Sequence, residues 1–252
     1  MNIYILIQLI NHYKDIDFMQ INTNYFDFRN ELTSKNNLDY CSYTGWSGLQ
    51  VVRFSMSKST KINSIQLNET FSHLKEKEKI FICTKGNIKF KSDDLETDLI
   101  EFDAIDSVSE DINYEFNALK DSSIFMISSC KAMTSKGKCI HFNFKKDVEA
   151  KNLWGGQIIS RPYEGKELTV VLFDLKPGFK FEDKGHANEQ ITWLTEGEMD
   201  FYSNNTKKLL KTDLGVSIGP YHVHGGISAG ALGFDAFFPK RVEEKYKKDQ
   251  NK

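Results

Sequence analysis

The side chains with the clearest chemical potential lie in two short segments of the second half of the chain. The first carries Lys184, His186 and Gln190, and the second carries His222 and His224. Because side chains alternate along a β-strand, His186 and Gln190 would face the same side, and His224 can approach from a neighbouring strand. Two imidazoles and an amide oxygen can cap one face of a divalent ion and leave other positions open. We therefore expect His186, Gln190 and His224 to bind a transition metal, either Fe, Mn, Co, Ni or Zn.

Lys184 and His222 are the candidate catalytic side chains beside these ligands. A lysine that is buried near a metal ion has a lowered pKa and can act as a base, whereas an outward-pointing Lys184 would have no role. His222 shares strand parity with His224, so it can line the pocket or replace a ligand. A hydrogen-bonded loop histidine is the simpler interpretation of His222. Glu189 points away from Gln190 on a strand, and we expect it to face solvent.

The elements that must position these residues are predicted to be short strands. Apolar and polar residues alternate over stretches such as 49–54, 79–83 and 168–173, and turn signals lie between such stretches. Helical periodicity is weak and confined to residues 1–14 and to the basic tail after Pro239. Many short strands with regular turns predict an all-β chain, either a barrel or a sandwich.

The first half of the chain matches the second half at a single constant offset, which places Phe81 on Thr192. At that offset and without a gap, residues 81–90, 110–113 and 124–127 fall on residues 192–201, 221–224 and 235–238. One offset for three separated segments indicates a duplicated domain. We predict an N-terminal extension, an N-terminal barrel, a C-terminal barrel and a basic tail, which cover residues 1–20, 21–135, 145–245 and 246–252.

At the same offset, the first half carries poor metal ligands. The residues that correspond to Lys184, His186, Gln190 and His224 are His73, Lys75, Lys79 and Asn113. Because two lysines strongly disfavour a bound cation, we expect a metal in the C-terminal barrel only. The N-terminal barrel would then support the fold, mediate dimerisation or bind an anion through Lys75 and Lys79.

The spacing of the candidate ligands resembles the first cupin motif, G-x5-H-x-H-x3-E-x6-G. The matching residues are Gly178, Lys184, His186, Gln190 and Gly197. His224 stands where the second cupin motif supplies its last histidine. The resemblance implies two tandem cupin barrels of the double-stranded β-helix or jelly-roll type. It also implies a homodimer, since exposed sheet edges seek partners.

Two further segments are similar to the bicupin isomerases of bacilysin biosynthesis. Residues 186–191 read His-Ala-Asn-Glu-Gln-Ile, and residues 237–241 read Phe-Phe-Pro-Lys-Arg. This resemblance implies a metal-dependent enzyme that carries out isomerase-type or lyase-type proton transfer on a small carboxylated metabolite, such as a 2-oxo acid. An Fe(II) dioxygenase is the alternative enzyme. A bicupin without catalytic activity, which binds a small ligand or has a structural role, is the third interpretation.

Lys184 departs from the cupin motif, because a protonated lysine repels a divalent ion. Three outcomes stay open. The metal can bind through the remaining three ligands alone, Asp183 or Glu182 can turn inward to replace the missing imidazole, or Lys184 can hold an anionic ligand in a site without metal.

Several large side chains near the predicted strands have structural and functional interpretations. For Trp154, Trp193 and Phe237, packing in the core is favoured over lining of a pocket. Arg161 can meet a substrate carboxylate, although a surface position is the simpler interpretation. We expect Arg241 and the lysines of the tail to be solvated.

Composition excludes several classes of partner. The 252 residues carry a formal net charge of −2, which predicts no nucleic-acid partner. The apolar run at the start of the sequence is too short to span a bilayer, so we expect no membrane association. The four cysteines form no C-x-x-C pair and indicate reduced thiols in a cytoplasmic protein. A small-molecule substrate is the expected partner.

Overall fold

The computed structural model of the chain describes residues 23–30, 32–107, 112–132, 137–203 and 206–241. The expected N-terminal extension and basic tail, residues 1–20 and 246–252, lie outside this part of the chain. The described residues are predominantly β-strand, which confirms the predicted all-β class of two tandem jelly-roll barrels. The domain boundaries themselves stay a prediction.

In the first half of the chain, the described residues form short strands and one short α-helix. Its strands are β1 (Asn24–Asp27), β2 (Thr33–Lys35), β3 (Leu38–Thr44), β4 (Gln50–Met56), β5 (Lys61–Asn63), β6 (Lys77–Lys85), β7 (Ile88–Ser92), β8 (Glu96–Leu99), β9 (Asp103–Ser107), β10 (Tyr114–Ala118), β11 (Ser122–Ala132) and β12 (Cys139–Asn143). The helix α1 (Ser64–Thr70) precedes a 3-10 helix at Ser72–Leu74.

The second half repeats this plan with longer central strands. Its strands are β13 (Lys151–Leu153), β14 (Ile158–Glu164), β15 (Thr169–Leu175), β16 (Lys180–Asp183), β17 (Glu189–Ser203), β18 (Thr206–Lys211), β19 (Leu214–Ile218) and β20 (His224–Phe238). A 3-10 helix lies at Trp154–Gly156.

The strands pair in three antiparallel sheets. In the first half, a sheet in the order β12-β9-β6-β11-β4-β3-β2 and a smaller sheet β5-β10-β7-β8 enclose an apolar core. In the second half, the order is β1-β19-β17-β20-β15-β14-β13, with β16 on β20 and β18 on β17. Strand β1 comes from the first half of the sequence but pairs with β19, so it joins the sheet of the second half.

Strands β17 and β20 pair over most of their length, and their register shifts near a glycine. The register between them shifts on either side of Gly197. Gly197 and Gly230 adopt left-handed φ values of 76° and 105°. A Cβ atom on Gly197 would lie 1.9 Å from the carbonyl oxygen of Gly230, so this crossing admits only glycine at position 197.

Strand pairing shows how far the constant offset of the repeat holds. Thr192 of β17 lies opposite Asp235 of β20. Phe81, which corresponds to Thr192, lies opposite Met126 of β11. Position 126 therefore corresponds to position 235, whereas the constant offset would place it on position 237. The sequence repeat thus contains a slip of two residues before β11.

One residue of this slip occurs before β10, so the N-terminal counterpart of His224 is Tyr114 and not Asn113. Ser203 pairs with His224, and its counterpart Ser92 pairs with Tyr114. Tyr114 is buried, whereas Asn113, the expected counterpart, is exposed. The expectation for Asn113 was wrong, because a slip of one residue moves a strand side chain to the opposite face.

An apolar core joins the two barrels. The rings of Phe125 and Trp193 stack with their centroids 5.3 Å apart, and those of Trp193 and Phe234 lie 5.4 Å apart. The Trp193 side chain is fully buried, which confirms the prediction that it packs in the core.

Two buried carboxylates at corresponding positions of the repeat also tie each barrel to the other. Glu189 accepts hydrogen bonds from the backbone N–H groups of Ser47 and Leu49, at 2.8 and 3.4 Å, and from the Ser47 hydroxyl. Glu78 accepts hydrogen bonds from the three consecutive backbone N–H groups of residues 166–168, at 2.7 to 3.1 Å. We call these contacts the Glu189 latch and the Glu78 latch.

The Glu189 latch contradicts the expectation that Glu189 faces solvent. Strand parity does place Glu189 on the opposite face from Gln190, but the N-terminal barrel covers that face, and Glu189 is fully buried. Burial raises the pKa of both Glu78 and Glu189. Each latch also requires a glycine, because a Cβ atom on Gly45 or Gly165 would lie 1.7 or 2.3 Å from the partner carboxylate oxygen.

Candidate metal centre

A cavity of about 530 Å³ lies inside the C-terminal barrel. Apolar side chains form much of its wall, among them Ile158, Val171, Phe173, Leu175, Met199 and Phe201. Polar and charged side chains on the wall include Asp183, Gln190, Thr192, His224, Asp235 and Arg241. A largely apolar cavity with a few grouped polar side chains is the usual form of a small-molecule site.

Asp183, His186 and His224 come together beside this cavity. Their ligand atoms all lie within 4.8 Å of one another. Within the described part of the chain, no other group of three His, Cys, Asp or Glu side chains is arranged in this way. Asp183 ends β16 opposite His224, which begins β20, so strand pairing places the carboxylate next to the imidazole.

The His224 ring is held in one tautomer. Its Nδ1 lies 2.9 Å from the backbone carbonyl oxygen of His222. Because a carbonyl oxygen only accepts, Nδ1 must donate, and Nε2 keeps its lone pair for a ligand. Burial lowers the pKa of His224, so the ring is neutral at pH 7 and able to bind a metal.

His186 and Gln190 approach each other as the spacing of the motif predicts. Nε2 of His186 lies 3.0 Å from Oε1 of Gln190, and both side chains are buried. Burial, followed by the charges of Arg241 and His224, lowers the pKa of His186 to about 4. A separation of 3.0 Å is about the distance between neighbouring ligands of a six-coordinate ion with bonds of about 2.1 Å.

Asp183 is the acidic residue that turns toward the histidines. Its Oδ1 accepts a hydrogen bond from the backbone N–H of Gly185 at 2.8 Å. Burial opposes its ionisation, but the charges that His224 and His186 carry at the acidic pH where the carboxylate titrates, together with the charge of Arg241, outweigh burial and lower its pKa. An ionised carboxylate beside two neutral imidazoles is a donor set that fits a divalent transition metal.

Asp235 is a half-buried acid on the cavity wall that sequence reasoning did not single out. Its Oδ1 accepts hydrogen bonds from Gln190 Nε2 at 3.0 Å and from the Thr192 hydroxyl at 2.6 Å. Burial raises its pKa to about 6. A lone acid within the apolar run Phe-Asp-Ala-Phe-Phe was the available signal, since such a residue needs buried partners.

Arg241 is buried against the site and is not a solvated residue of the tail, so that expectation was wrong. Its guanidinium lies 3.4 Å from Asp183 Oδ2 and 5.2 Å from the centre of the Phe237 ring. The backbone of Arg241 exchanges two hydrogen bonds with the Thr169 side chain. These contacts fold the segment after β20 back onto the barrel.

The two candidate catalytic residues lie in different surroundings. Lys184 borders the cavity with an exposed side chain, which does not match the buried lysine that would act as a base. His222 is half-buried and lies outside the cavity lining, and its carbonyl oxygen orients His224. Their catalytic roles stay predictions.

The other candidates divide between core and cavity. Phe237 is buried and lines the cavity, while Trp154 lines it with 55% of its surface exposed, so the preference for core packing was wrong for Trp154. Arg161 lies on β14 outside the cavity lining.

The corresponding positions of the N-terminal barrel contain no comparable cluster among the residues that the structure describes. His73 Nε2 lies 2.8 Å from Gln50 Oε1, near the surface. Lys79 is buried, and its Nζ donates to the carbonyl oxygens of Lys75 and Lys77 at 3.3 and 3.2 Å. Burial lowers the pKa of Lys79 to about 8.

Known proteins resemble this chain in structure, whereas no similarity was found in sequence. No family model and no curated protein matches the chain. Among solved structures, it is similar to a cupin 2 conserved barrel domain protein from Leptotrichia buccalis, with a TM-score of 0.62 and 15% identity over 88% of this chain and 99% of that one. The fold is that of a tandem cupin.

Two further solved structures with a similar fold are the protein Ylba and an oxalate decarboxylase. The protein Ylba from E. coli is similar with a TM-score of 0.68 and 14% identity, over 88% of this chain and 93% of that one. Oxalate decarboxylase from Lactobacillus farciminis, in a formate complex, has a TM-score of 0.67 and 9% identity over 90% and 88% of the two chains. At these identities the likeness concerns the fold.

In the described part of the chain, no helix has the length and apolar character needed to cross a membrane.

Proposed function

We propose that the chain is a metal-dependent enzyme that acts on a small carboxylated metabolite. The observation that carries the proposal is the convergence of Asp183, His186 and His224 within 4.8 Å beside a cavity of about 530 Å³. Two imidazoles and a carboxylate suit Fe(II), Mn(II) or a related ion. The Mn(II) centres of Bacillus subtilis oxalate decarboxylase and the formate complex of its Lactobacillus counterpart support the same general class.

The cavity wall supports a substrate with a carboxylate and an apolar portion. Arg241 provides a buried cation whose planar guanidinium can bind a carboxylate through two hydrogen bonds. Val171, Phe173 and Leu175 alternate along β15 and present an apolar surface to the cavity. Such a wall can pack against the remainder of the substrate and exclude water from it.

The proposed reaction is isomerase-type or lyase-type proton transfer next to the carboxylate or carbonyl group. When bound, a divalent metal supplies Lewis acidity that stabilises negative charge on a substrate oxygen. Arg241 orients the substrate, and the exposed Lys184 at the edge of the cavity is the candidate that donates a proton from Nζ to the substrate, a role that does not need a buried lysine. The likeness of residues 186–191 and 237–241 to bicupin isomerases supports this class.

An Fe(II) dioxygenase is the second candidate, and the donor set of Asp183, His186 and His224 favours it. Two histidines and one carboxylate with open positions are the usual ligands of non-haem Fe(II) oxygenases. Oxygen uptake that follows consumption of a substrate would identify a dioxygenase. Turnover at an unchanged rate under strict exclusion of oxygen would exclude it.

Metal analysis of the purified protein tests the proposal. After reconstitution with Fe(II), Mn(II), Co(II), Ni(II) or Zn(II), we expect about one equivalent per chain in the wild type and less than about a tenth of an equivalent in His186→Ala, because a ligand is lost. His73→Ala is the matched control, since His73 lies in the N-terminal barrel and should leave the metal content unchanged. A wild-type protein that retains none of these metals would overturn the proposal.

A homodimer in the cytoplasm is part of the proposal. Size-exclusion chromatography with light scattering measures the mass, and a monomer at micromolar concentration would exclude the dimer.

A further inference from the structure

Gln190 is the candidate ligand whose donor atom depends on its surroundings. A glutamine side chain ends in one oxygen, which can bind a metal, and one NH2 group, which cannot. Rotation by half a turn about the last bond exchanges them. Whatever holds the amide therefore decides whether Gln190 is a ligand.

We propose that Asp235 is a positioning residue that, with Thr192, orients the Gln190 amide so that its oxygen faces His186 and becomes a fourth ligand of the metal site. This inference rests on the proposed function, because it assumes that His186 binds a metal. It assigns a role to a carboxylate that does not belong to the group of Asp183, His186 and His224.

The hydrogen bonds leave the amide one orientation. The Thr192 hydroxyl lies 2.6 Å from Asp235 Oδ1 and has one hydrogen, which it donates to the carboxylate. Thr192 Oγ1 can therefore only accept from Gln190, at 2.8 Å, and Asp235 Oδ1 also accepts, at 3.0 Å. Both neighbours on this side of Gln190 are acceptors, so Nε2 must lie between them.

With Nε2 on that side, Oε1 of Gln190 points to the other side. There it lies 3.0 Å from Nε2 of His186. Without a metal, His186 Nε2–H can donate to this oxygen. With a metal, both atoms can bind the same ion, since neighbouring ligands at bonds of about 2.1 Å are about this far apart.

The barrel itself does not require the pair of Thr192 and Asp235. The corresponding residues of the N-terminal barrel are Phe81 and Met126, which face each other across β6 and β11 in the same way. Both are fully buried members of the apolar core. A half-buried carboxylate on the wall of an apolar cavity is unfavourable unless it is hydrogen-bonded, so its presence at this place in the barrel with the ligand cluster, and not at the corresponding place in the other barrel, points to the site.

Binding of Mn2+ to the full-length protein, followed by the electron paramagnetic resonance signal of the free ion, tests the inference. Asp235→Asn should weaken binding about tenfold or more, the usual effect of losing the residue that orients a ligand. An asparagine NH2 group can donate to Gln190 and turn the amide around. Asp235→Asn also removes a negative charge, so a variant that conserves charge is needed.

Thr192→Val serves this purpose, because it removes the hydroxyl while it keeps the shape and charge of the side chain. We expect several-fold weaker Mn2+ binding and an unchanged melting temperature of the metal-free protein. Ser228→Ala is the matched control. It also removes a buried hydroxyl, but one that lies on β20, and it should bind Mn2+ like the wild type.

The outcomes separate this inference from the proposed function. If Thr192→Val binds Mn2+ like the wild type while Asp235→Asn binds it more weakly, Asp235 acts through its charge alone and the inference is overturned. If both variants bind like the wild type, the inference is overturned while the proposed function stands. A wild-type protein that binds no Mn2+ or other transition metal overturns both.

Discussion

The two barrels share a strand framework but differ in what fills them. In the N-terminal barrel, Phe81 and Met126 face each other across the central strands and belong to a packed apolar core. In the C-terminal barrel, Thr192 and Asp235 occupy the corresponding places and line a cavity of about 530 Å³. A change of two facing residues from large and apolar to small or charged leaves room for a ligand and provides it with polar partners.

The two barrels also differ at the position of Gln190, whose counterpart is Lys79. Gln190 holds its amide in the cavity wall, whereas Lys79, its counterpart, turns its Nζ to the backbone carbonyls of Lys75 and Lys77. The lysine thereby finds acceptors in the backbone near its own strand. Among the described residues of the first barrel, no three His, Cys, Asp or Glu side chains are grouped as they are in the second.

The latches are the feature that the two barrels have in common. Glu78 and Glu189 each begin or nearly begin a central strand, and each accepts backbone hydrogen bonds from a loop of the other barrel. Their neighbours differ, because Asp106 lies near Glu78 and raises the electrostatic cost of its charge, whereas Ser217 occupies the corresponding position near Glu189.

The largest expected effect separates the packed barrel from the hollow one. Phe81→Ala should lower the free energy of unfolding by about 4 kcal/mol, because it leaves a void in a filled core. Phe173→Ala should lower it by about 2 kcal/mol, because Phe173 already borders the cavity and has fewer neighbours to lose. Urea unfolding measures both values. Equal losses would contradict the difference in packing.

Removal of either latch should have the next largest effect. Glu78→Ala and Glu189→Ala should each lower the free energy of unfolding by about 3 kcal/mol, because backbone N–H groups lose their buried acceptor. Glu78→Gln and Glu189→Gln keep one acceptor oxygen and should lower it less. Urea unfolding of the four variants checks the symmetry. A loss at one latch only would show that the barrels do not hold each other reciprocally.

The smallest expected effect is a pH dependence of stability that arises from Asp106, the neighbour of Glu78. Burial, reinforced by the charge of Glu78, raises the pKa of Asp106 from 3.8 to about 7. The folded protein therefore keeps a proton that the unfolded chain releases, so the contribution of Asp106 to stability is fully present below about pH 4 and is lost as the pH rises to about 7. Asp106→Asn should reduce the fall between pH 5 and pH 8 by on the order of 2 kcal/mol.

Ser217→Ala is the matched control for Asp106→Asn in the other barrel. Its urea unfolding curves should show the same pH dependence as those of the wild type. A change in this dependence for Ser217→Ala, or none for Asp106→Asn, would contradict the assignment.

Sequence reasoning recovered the contact between His186 and Gln190 through the spacing of the motif, although the strand parity behind that prediction does not apply. His186 lies in the loop before β17 and Gln190 lies at the start of that strand, so the bend at residues 187–188, not strand alternation, brings the two side chains to 3.0 Å. His224 reached the site from β20 as the resemblance implied. The prediction that Asn113 corresponds to His224 was wrong because the repeat slips by one residue. Such a slip moves a side chain to the opposite face of the strand.

Other features could not be read from spacing. Whether Glu189 meets solvent or the N-terminal barrel depends on a contact with Ser47, which is 142 residues away. The burial of Arg241 depends on how the segment after β20 returns to β15.

The sequence by itself determined the strands and the duplication, because periodicity and turn residues act over a few neighbouring residues. Only the tertiary structure decided that Asp183 turns to the histidines, that Asp235 meets the Gln190 amide and that the two glutamates join the barrels. These contacts arise between strands that are distant in sequence, and packing and register set them, not local preference.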